Sequence, residues 1–497
     1  MEKDKFKEVR TRFAPSPTGY MHIGNLRTAL YAYLYAKHYD GKFVLRIEDT
    51  DQKRYVEGAT EIIYDTLKTT KLIHDEGPDK DGGYGPYVQS ERKELYKKYA
   101  LELVEKGYAY LCFCGNHDEE SAGEDAEVET EQTFGYNRHC RNLPKEEVEA
   151  NLKAGKSYVI RQKMPIDETV TFHDEVYGDI TVETNTLDDQ ILLKSDGMPT
   201  YNFANVVDDH LMAISHIIRG KEYISSTPKY QLLYNAFGWE SPKTIHVSTI
   251  MGKNEDGSVS KLSKRHGSVS FAQLLEEGYL PEAVINYIAL LGWSPKMEQE
   301  FFTLDELAKL FTEEGIVKTN AIFDYKKLDW FNNHYISNLS HEEFVKHSKK
   351  YIQSLPESLK EKWDFASVLA QGRIDKFSQI EKLFDFILDY QDFDLNELEN
   401  KKNKLDKAQS LEILKDILPV LENLNDWTVD NINSISQNYA TQKEYKIGKV
   451  MWPIRVAVTG KTITPGGGGE MLYLVGKENS IKRIKKTIQR LENENLQ

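Results

Sequence analysis

A histidine and a glycine follow a proline-rich turn near the start of the chain. The turn Pro15-Ser16-Pro17-Thr18-Gly19 precedes His22-Ile23-Gly24-Asn25, and apolar residues at helical spacing come next. The N-terminus of a helix exposes unpaired N–H groups and a positive dipole, which together suit a phosphate group. Gly24 lets a nucleotide approach the backbone, and His22 can donate to a phosphate oxygen. Alone, the same pattern is typical of a capping or core histidine.

A second polar motif lies far along the chain. The segment Lys261-Leu262-Ser263-Lys264-Arg265 follows an apolar run at 244–251 and a polar loop. Lysines stabilise a triphosphate most strongly where charge develops as pyrophosphate departs. By itself this pair indicates only a solvated surface. Together with the His22 motif, it predicts an ATP site built from two distant segments.

The elements that must hold these motifs begin at Arg12. A short run ending at Ala14, a helical pattern at 26–34 and the apolar run Phe43-Val44-Leu45-Arg46-Ile47 give strand, helix and strand. This order opens a doubly wound α/β domain, whose ligands bind at the carboxyl ends of the strands. Glu48 follows the second strand directly. For Arg46 we expect a surface ion pair.

The rest of the chain divides by pattern. Its 497 residues exceed what one hydrophobic core supports. Strand-like runs return at 213–218, and from residue 271 the spacing is helical. We predict a Rossmann-like doubly wound α/β catalytic domain with an α+β insertion, followed by all-α C-terminal domains. The expected boundaries are 1–86 and 201–270 for the catalytic halves, 87–200 for the insertion, and 271–345 and 346–497 for the helical domains.

Composition excludes several classes of protein. A formal net charge of -15 argues against non-specific coating of nucleic acid, because phosphate neutralisation needs excess Lys and Arg. A basic run at 482–490 indicates either a solvated helix face or an RNA contact. The sequence contains neither an apolar run that approaches a bilayer span nor a secretory signal, so we expect a cytoplasmic protein with no membrane contact.

The motifs resemble those of a known family. The segment at 12–19 with His22-Ile23-Gly24-Asn25 resembles the first signature of bacterial-type glutamyl-tRNA synthetases, which are class I aminoacyl-tRNA synthetases, and Lys261 to Arg265 resembles the second. Further similarity lies at 45–51, 201–209 and 218–220, in the family's order. Asn25 replaces a class-pattern His, and Leu262 and Arg265 replace Met and Ser, whereas His22 and Lys264 remain.

The resemblance implies a glutamate–tRNA ligase that uses ATP and Mg²⁺. It would convert L-glutamate to glutamyl-adenylate and transfer it to the 3′-terminal adenosine of tRNA-Glu. The implied catalytic residues are His22, Lys261 and Lys264. The implied ATP-binding residues are His22, Gly24, Asn25, Lys261 and Lys264.

The resemblance also implies a glutamate site. Its residues would be Arg12, Ala14, Ser16, Glu48, Tyr201, Asn205 and Arg219. Arg219 would face the side-chain carboxylate, since a guanidinium binds a carboxylate bidentately. Glu48 would bind the α-ammonium group.

Partners follow from the same resemblance. The insertion would hold the acceptor end of tRNA, the domain at 271–345 would contact the stem, and the helical remainder would reach the anticodon. Trp427 and Trp452 are stacking platforms or core residues. We expect a monomer. The alternatives are an enzyme that also charges tRNA-Gln and an inactive tRNA-binding paralogue.

A cysteine cluster resembles the zinc knuckle of some family members. It comprises Cys112, Cys114, Tyr136 and Cys140, and His139 is an alternative fourth donor. Tetrahedral zinc requires four donors, of which thiolates are the strongest. Reduced cysteines without a metal are the other interpretation.

Overall fold

The computed structural model describes residues 8–114, 136–267 and 269–494. They form two compact units. The first comprises the chain up to Leu275 together with Pro281–Tyr325, and the second comprises Glu276–Leu280 together with Lys326 onward. Among the described helices, none is long and apolar enough to cross a membrane.

The first unit contains both strands and helices. Its strands are β1 (Arg10–Phe13), β2 (Lys42–Leu45), β3 (Ala109–Cys112), β4 (Val159–Gln162), β5 (Thr169–Asp174), β6 (Gly178–Glu183), β7 (Ile191–Leu193), β8 (His216–Gly220), β9 (Lys243–Val247), β10 (Ile250–Lys253), β11 (Val259–Lys261) and β12 (Ala321–Ile322). Its helices are α1 (Ile23–His38), α2 (Ala59–Thr69), α3 (Lys93–Glu105), α4 (Lys145–Lys153), α5 (Tyr201–Leu211), α6 (Thr227–Phe237), α7 (Phe271–Glu276), α8 (Pro281–Ala289) and α9 (Leu304–Leu310).

The second unit is helical throughout its described residues, which confirms the predicted all-α C-terminal region. Its helices are α10 (Tyr325–Ser337), α11 (His341–Ser348), α12 (Glu357–Lys360), α13 (Trp363–Gln371), α14 (Ile380–Leu383), α15 (Asp385–Leu388), α16 (Lys407–Glu422), α17 (Val429–Gln442), α18 (Ile447–Thr459), α19 (Gly468–Val475) and α20 (Lys477–Glu494).

The basic residues of α20 have acidic neighbours within the same unit. Lys485 pairs with Glu422, and both Lys486 and Arg490 pair with Asp392. These contacts favour the interpretation of a solvated helix face over an RNA contact.

The catalytic sheet is parallel at its centre. Strands β1 and β2 pair in parallel, as do β8 and β9. The backbone N–H of Ser215 donates to the Arg10 carbonyl at 2.9 Å, which places the start of β8 beside β1. Both faces of β1 are buried, as expected for a strand covered by helices on each side. This arrangement confirms the predicted doubly wound α/β fold.

The insertion contributes strands to this sheet. Strands β5 and β6 form an antiparallel hairpin, and β5 pairs with β9 in parallel where Asp174 faces Thr244. The resulting strand order is β6-β5-β9-β8, whereas β3, β4 and β7 form a separate sheet. The carboxylate of Asp174, in the segment predicted to be an insertion, thereby lies inside the core of the first unit.

Two predicted strands have different limits in the structure. The run at 244–251 is two strands, because the chain breaks pairing at Ser248, whose carbonyl accepts a hydrogen bond from the Arg27 guanidinium. The strand expected from 213 begins at His216. Ala213 has a φ of 51° and its N–H donates to the His210 carbonyl, so it belongs to the turn after α5.

Candidate active site

The first motif forms the N-terminus of helix α1. His22 is the N-cap residue, and its Nδ1 accepts a hydrogen bond from the Gly24 N–H at 3.0 Å. An accepting Nδ1 is unprotonated, so the ring proton lies on Nε2, which is then a donor. Asn25 is exposed and Gly24 half-buried. The Ile23, Gly24 and Leu26 N–H groups are already bonded within the fold, so the imidazole donor, the Asn25 N–H and the positive end of the helix dipole are what this helix offers a phosphate.

The second motif lies at the end of a β-hairpin. Strand β10 pairs with β11, Leu262 is buried, and the side chains of Lys261 and Lys264 are exposed. His266 anchors the motif: its Nδ1 accepts from the Ser263 N–H at 3.0 Å, and its Nε2 contacts Asn254 Oδ1 at 2.8 Å.

The backbone brings the two motifs into one neighbourhood. His22 and Ser270 form an antiparallel bridge, and the Ile23 N–H donates to the Val269 carbonyl at 2.9 Å. Ser270 lies six residues beyond Lys264, a length of chain that reaches at most about 20 Å. The charged lysines therefore lie within reach of a nucleotide bound at the start of α1.

A buried carboxylate joins two arginines at the end of β1 and β2. Asp209, on helix α5, accepts from Arg12 Nε at 3.1 Å and from Arg46 Nη1 at 2.8 Å. Arg46 also donates to Glu48 Oε1 at 2.9 Å. The prediction of a surface ion pair for Arg46 is wrong, because its side chain is fully buried and orients Glu48.

Burial and charge act against each other in this cluster. Burial disfavours the charge of Arg12, but Asp209 together with Tyr201 and Glu48 outweighs that effect, so the pKa of Arg12 is raised. Burial likewise opposes ionisation of Asp209, yet Arg12 and Arg46 hold its pKa below the ordinary value. Burial raises the pKa of Glu48, and the positive charge of Arg46 opposes that rise. Each charge in the cluster depends on its partner.

The neighbouring carboxylate, Asp208, ties helix α5 to the start of the insertion. It accepts from Arg92 Nε at 2.7 Å, Tyr96 Oη at 2.8 Å and Gln89 Nε2 at 2.9 Å. Gln89 and Arg92 lie just before α3, and Tyr96 lies on it. Asp208 therefore fixes the position of α3 relative to the helix that carries Asp209.

Arg219 lies at the end of β8, and its side chain is buried. Its Nε donates to His246 Nε2 at 3.1 Å and its Nη2 donates to Thr227 Oγ1 at 2.9 Å. Arg219 and Asn205 both line a cavity of about 180 Å³. Within the described residues, the Asn205 side-chain nitrogen has no hydrogen-bond partner. The cavity wall thus presents a guanidinium and an unpaired amide donor.

The remaining predicted glutamate residues surround this region. Tyr201 begins α5, and its ring lies 5.7 Å from that of Tyr223, whose ring lies 5.4 Å from the Arg219 guanidinium carbon. Ala14 and Ser16 are half-buried on either side of Pro15, whose carbonyl accepts from the Glu48 N–H at 3.1 Å. Arg12, Glu48 and Tyr201 lie outside the lining of the cavity that Arg219 and Asn205 share.

The cysteine cluster lies at the end of β3. The sulfur atoms of Cys112, Cys114 and Cys140 are within 4.8 Å of one another. Tyr136 Oη lies 3.1 Å from Cys112 Sγ, whereas His139 is exposed and does not join the group. Three sulfurs and a phenol oxygen at these separations fit a single tetrahedral ion.

Some residues of the site escaped prediction. Asp208 and Asp209 belong to a motif to which sequence reasoning assigned no role, and His246, near the end of a strand, was interpreted as structural. The signal for the acids is their position on α5, where they share a buried face with Asn205 at helical spacing. A carboxylate on a buried face requires a cation partner.

The first unit has a helix N-terminus at His22 that can bind a phosphate, and it has buried guanidinium groups at Arg12 and Arg219. These features suit an enzyme that binds a nucleotide and a small acidic substrate. Comparison with known proteins makes the class specific. The chain matches the family described as tRNA synthetases class I (E and Q), catalytic domain, over residues 8–330, and an anticodon binding domain over residues 340–488.

Full-length relatives agree with these matches. A glutamate–tRNA ligase from Clostridium novyi is 52% identical over 98% of this chain and 99% of its own length. One from Clostridium acetobutylicum is 52% identical over the same shares. A crystal structure of a glutamate tRNA ligase from Elizabethkingia meningosepticum in complex with its amino acid is 37% identical, has a TM-score of 0.84, and covers 98% of this chain and 100% of that one. The chain therefore belongs to the class I tRNA synthetases of the E and Q group.

Replacing the shared carboxylate should destabilise the first unit. Asp209→Asn leaves Arg12 and Arg46 buried without an anion, which we expect to lower the free energy of unfolding by about 3–5 kcal/mol. Urea denaturation of the full chain, followed by circular dichroism, measures this change. Asp179→Asn is the control, because its carboxylate pairs with His173 on the exposed surface. Equal denaturation midpoints for both variants would contradict the ascribed role of Asp209.

Proposed function

We propose that this chain is a glutamate–tRNA ligase. It activates L-glutamate with ATP and esterifies the glutamyl group onto the 3′-terminal adenosine of tRNA-Glu. The observation that carries the proposal is the Arg219 guanidinium, which together with the unpaired Asn205 amide lines a cavity beside strands β8 and β9. The names of the full-length relatives support the same activity.

In the first step an oxygen of the glutamate α-carboxylate attacks the α-phosphorus of ATP, and the bond to the bridging oxygen breaks to release pyrophosphate. His22, the Asn25 N–H and the positive end of the α1 dipole bind phosphate oxygens, and Gly24 leaves room for the nucleotide beside them. Lys261 and Lys264 stabilise the charge that develops on the departing pyrophosphate. Mg²⁺ bound to ATP neutralises part of the triphosphate charge.

In the second step a hydroxyl of the terminal adenosine attacks the glutamyl carbonyl, and AMP leaves. By its class, the receiving group is the 2′-hydroxyl. Positioning and electrostatic stabilisation suffice for both steps, so no protein nucleophile is needed.

Glutamate binds through groups of opposite charge. Arg219 and Asn205 face the side-chain carboxylate, and Arg12 contributes a second guanidinium. Glu48, which Arg46 holds in place, binds the α-ammonium group. Ala14, Ser16 and Tyr201 complete the wall.

The tRNA contacts follow the domain division. The insertion at 87–200 binds the acceptor end, the region at 271–345 contacts the stem, and residues from 346 reach the anticodon. One chain carries both a catalytic and an anticodon-binding match, so one copy has both regions for tRNA, and the proposed enzyme is a monomer. We place the reaction in the cytoplasm. An enzyme that also charges tRNA-Gln is the alternative, and aminoacylation of purified tRNA-Gln separates the two.

A structural zinc ion is also proposed. Cys112, Cys114 and Cys140 supply three thiolates, and the Tyr136 oxygen is the fourth ligand. The ion would fix the end of β3 and has no part in the reaction steps.

The lysine motif should matter for adenylate formation. We expect Lys264→Ala to reduce ATP–pyrophosphate exchange by roughly 10²-fold or more, the effect of losing one oriented transition-state donor. Exchange is measured with glutamate, with and without tRNA, and we expect it to require tRNA. Lys253→Ala is the control, because Lys253 lies on the same hairpin outside the motif. A near-normal rate for Lys264→Ala would show that another group carries the phosphate charge.

Arg219 should determine the choice of amino acid. We expect Arg219→Ala to lower kcat/KM for glutamate by about 10²-fold, the scale of losing hydrogen bonds to a charged group, and to reduce the preference for glutamate over glutamine. Arg219→Lys keeps the charge but not the bidentate geometry, so it should recover only part of the preference. Unchanged selectivity in Arg219→Ala would remove this residue from the glutamate site.

Metal analysis tests the cysteine cluster. We expect purified protein to contain about one zinc ion per chain, and Cys140→Ser to lose it, because a hydroxyl is a weaker ligand than a thiolate. Inductively coupled plasma mass spectrometry measures the content. Zinc-free protein with an unchanged melting temperature would indicate that the three thiols are reduced core residues.

A further inference from the structure

Arg219 is held by two neutral acceptors. Its Nε bonds to His246 Nε2 and its Nη2 bonds to Thr227 Oγ1, whose own hydroxyl donates to the Tyr223 carbonyl at 2.8 Å. The rings of Tyr223 and Tyr230 flank the guanidinium. The edge formed by Nε and Nη2 is thereby fixed, and within the described residues Nη1 has no hydrogen-bond partner.

Asp174 in turn fixes His246. The two residues are fully buried, and Asp174 Oδ2 lies 2.6 Å from His246 Nδ1. The other carboxylate oxygen, Oδ1, accepts from the N–H groups of Val176 at 3.0 Å and Tyr177 at 2.9 Å. Asp174 is therefore ionised and immobile, and it requires the proton of His246 to lie on Nδ1.

The protonation state follows from these contacts. Burial lowers the pKa of His246 to about 4; the bond to Asp174 opposes this shift, and the charge of Arg219 adds to it. A neutral His246 with its proton on Nδ1 has a lone pair on Nε2, the atom that Arg219 contacts. The neutral ring, held by Asp174, therefore fixes the position of the Arg219 Nε and adds no charge of its own.

This arrangement differs from that around Arg12. Arg12 bonds directly to the carboxylate of Asp209, which neutralises much of its charge. The acceptors that contact Arg219 are the His246 imidazole and the Thr227 hydroxyl. The carboxylate of Asp174 contacts His246 and not Arg219 itself. Neutral acceptors orient a guanidinium while they leave its charge available for an anionic ligand.

We propose that His246 is a positioning residue for amino-acid specificity: linked to Asp174, it orients the Arg219 guanidinium toward the substrate side-chain carboxylate and leaves its positive charge uncompensated. Asp174 belongs to the predicted insertion, where β5 pairs with β9 beside Thr244. The segment proposed to hold the tRNA acceptor end thereby supports the glutamate-selecting arginine. This inference rests on the proposed role of Arg219.

Two isosteric variants separate the contacts of His246. In Asn the amide nitrogen takes the place of Nδ1, so His246→Asn keeps a donor for Asp174 and loses the acceptor for Arg219. In Gln the amide oxygen can take the place of Nε2, so His246→Gln keeps the acceptor for Arg219. Steady-state pyrophosphate exchange gives KM for glutamate, KM for ATP and the glutamate-to-glutamine selectivity of each variant.

We expect His246→Asn to raise KM for glutamate by roughly tenfold, the scale of one hydrogen bond to a charged group, and to lower the selectivity by a similar factor. KM for ATP should not change, and His246→Gln should recover most of the selectivity. If His246 is only structural, both variants should have a lower melting temperature and a lower kcat, with no difference between the effects on KM for glutamate and on KM for ATP. Equal behaviour of the two variants, or an unchanged KM for glutamate, overturns the proposal.

Thr227→Val provides a second variant if His246→Asn does not fold. It removes the Nη2 acceptor and should also raise KM for glutamate alone, whereas an unchanged KM overturns the proposal. The Arg219→Ala variant distinguishes the two levels of inference. If Arg219→Ala loses selectivity but His246→Asn and Thr227→Val do not, only the positioning role fails. If Arg219→Ala keeps its selectivity, the proposed glutamate site fails as well.

Discussion

The carboxylate of Asp209 bonds to two buried guanidinium groups at once, and the geometry of the site depends on that contact. Desolvation of Arg12 and Arg46 is costly, and the carboxylate in direct contact with both offsets much of that cost. Arg46 then fixes Glu48, and the adjacent Asp208 fixes Arg92. Because Asp208 and Asp209 are consecutive on α5, one helix sets the position of strands β1 and β2 and of the start of the insertion.

The buried arginines of the proposed site differ in whether a carboxylate contacts the guanidinium directly. Arg12 and Arg46 bond to Asp209, which compensates part of their charge, so that Arg12 adds only a secondary contribution to the proposed glutamate site. Arg219 contacts His246 and Thr227 instead, and its charge has no carboxylate beside it within the described residues. A site that selects an anionic side chain needs a cation without such a contact, because a compensated cation offers a new carboxylate little attraction. In our proposal this difference is the physical basis of specificity for glutamate.

Much of the fold could be predicted from the spacing of apolar residues and from the turn-forming residues between the elements. Apolar spacing identified α1, the central strands and the helical second half, because one buried face dictates each pattern. Apolar spacing does not predict which distant segments pair with each other. The break at Ser248 depends on a guanidinium from α1, and the joining of β5 to β9 depends on tertiary contacts. Arg46 was misjudged for the same reason, since its partner Asp209 lies far away in sequence.

At His22 and Lys264 a local motif carries the chemistry, so the sequence alone could propose these residues for the site. The site was not predictable where a residue acts through another, as His246 does, because a lone buried histidine has no sequence signature. The choice of Tyr136 over His139 beside the cysteines likewise required the fold. Residues that touch a ligand leave a local pattern, whereas residues that orient them are recognised by their contacts.

The most direct test of the account is a crystal structure of the protein with a non-hydrolysable glutamyl-adenylate analogue. The account predicts the adenylate at the N-terminus of α1 beside His22, the glutamyl carboxylate on Arg219, and its ammonium group near Glu48. An analogue bound in this cleft with its side-chain carboxylate directed away from Arg219, or bound outside the cleft altogether, would contradict it.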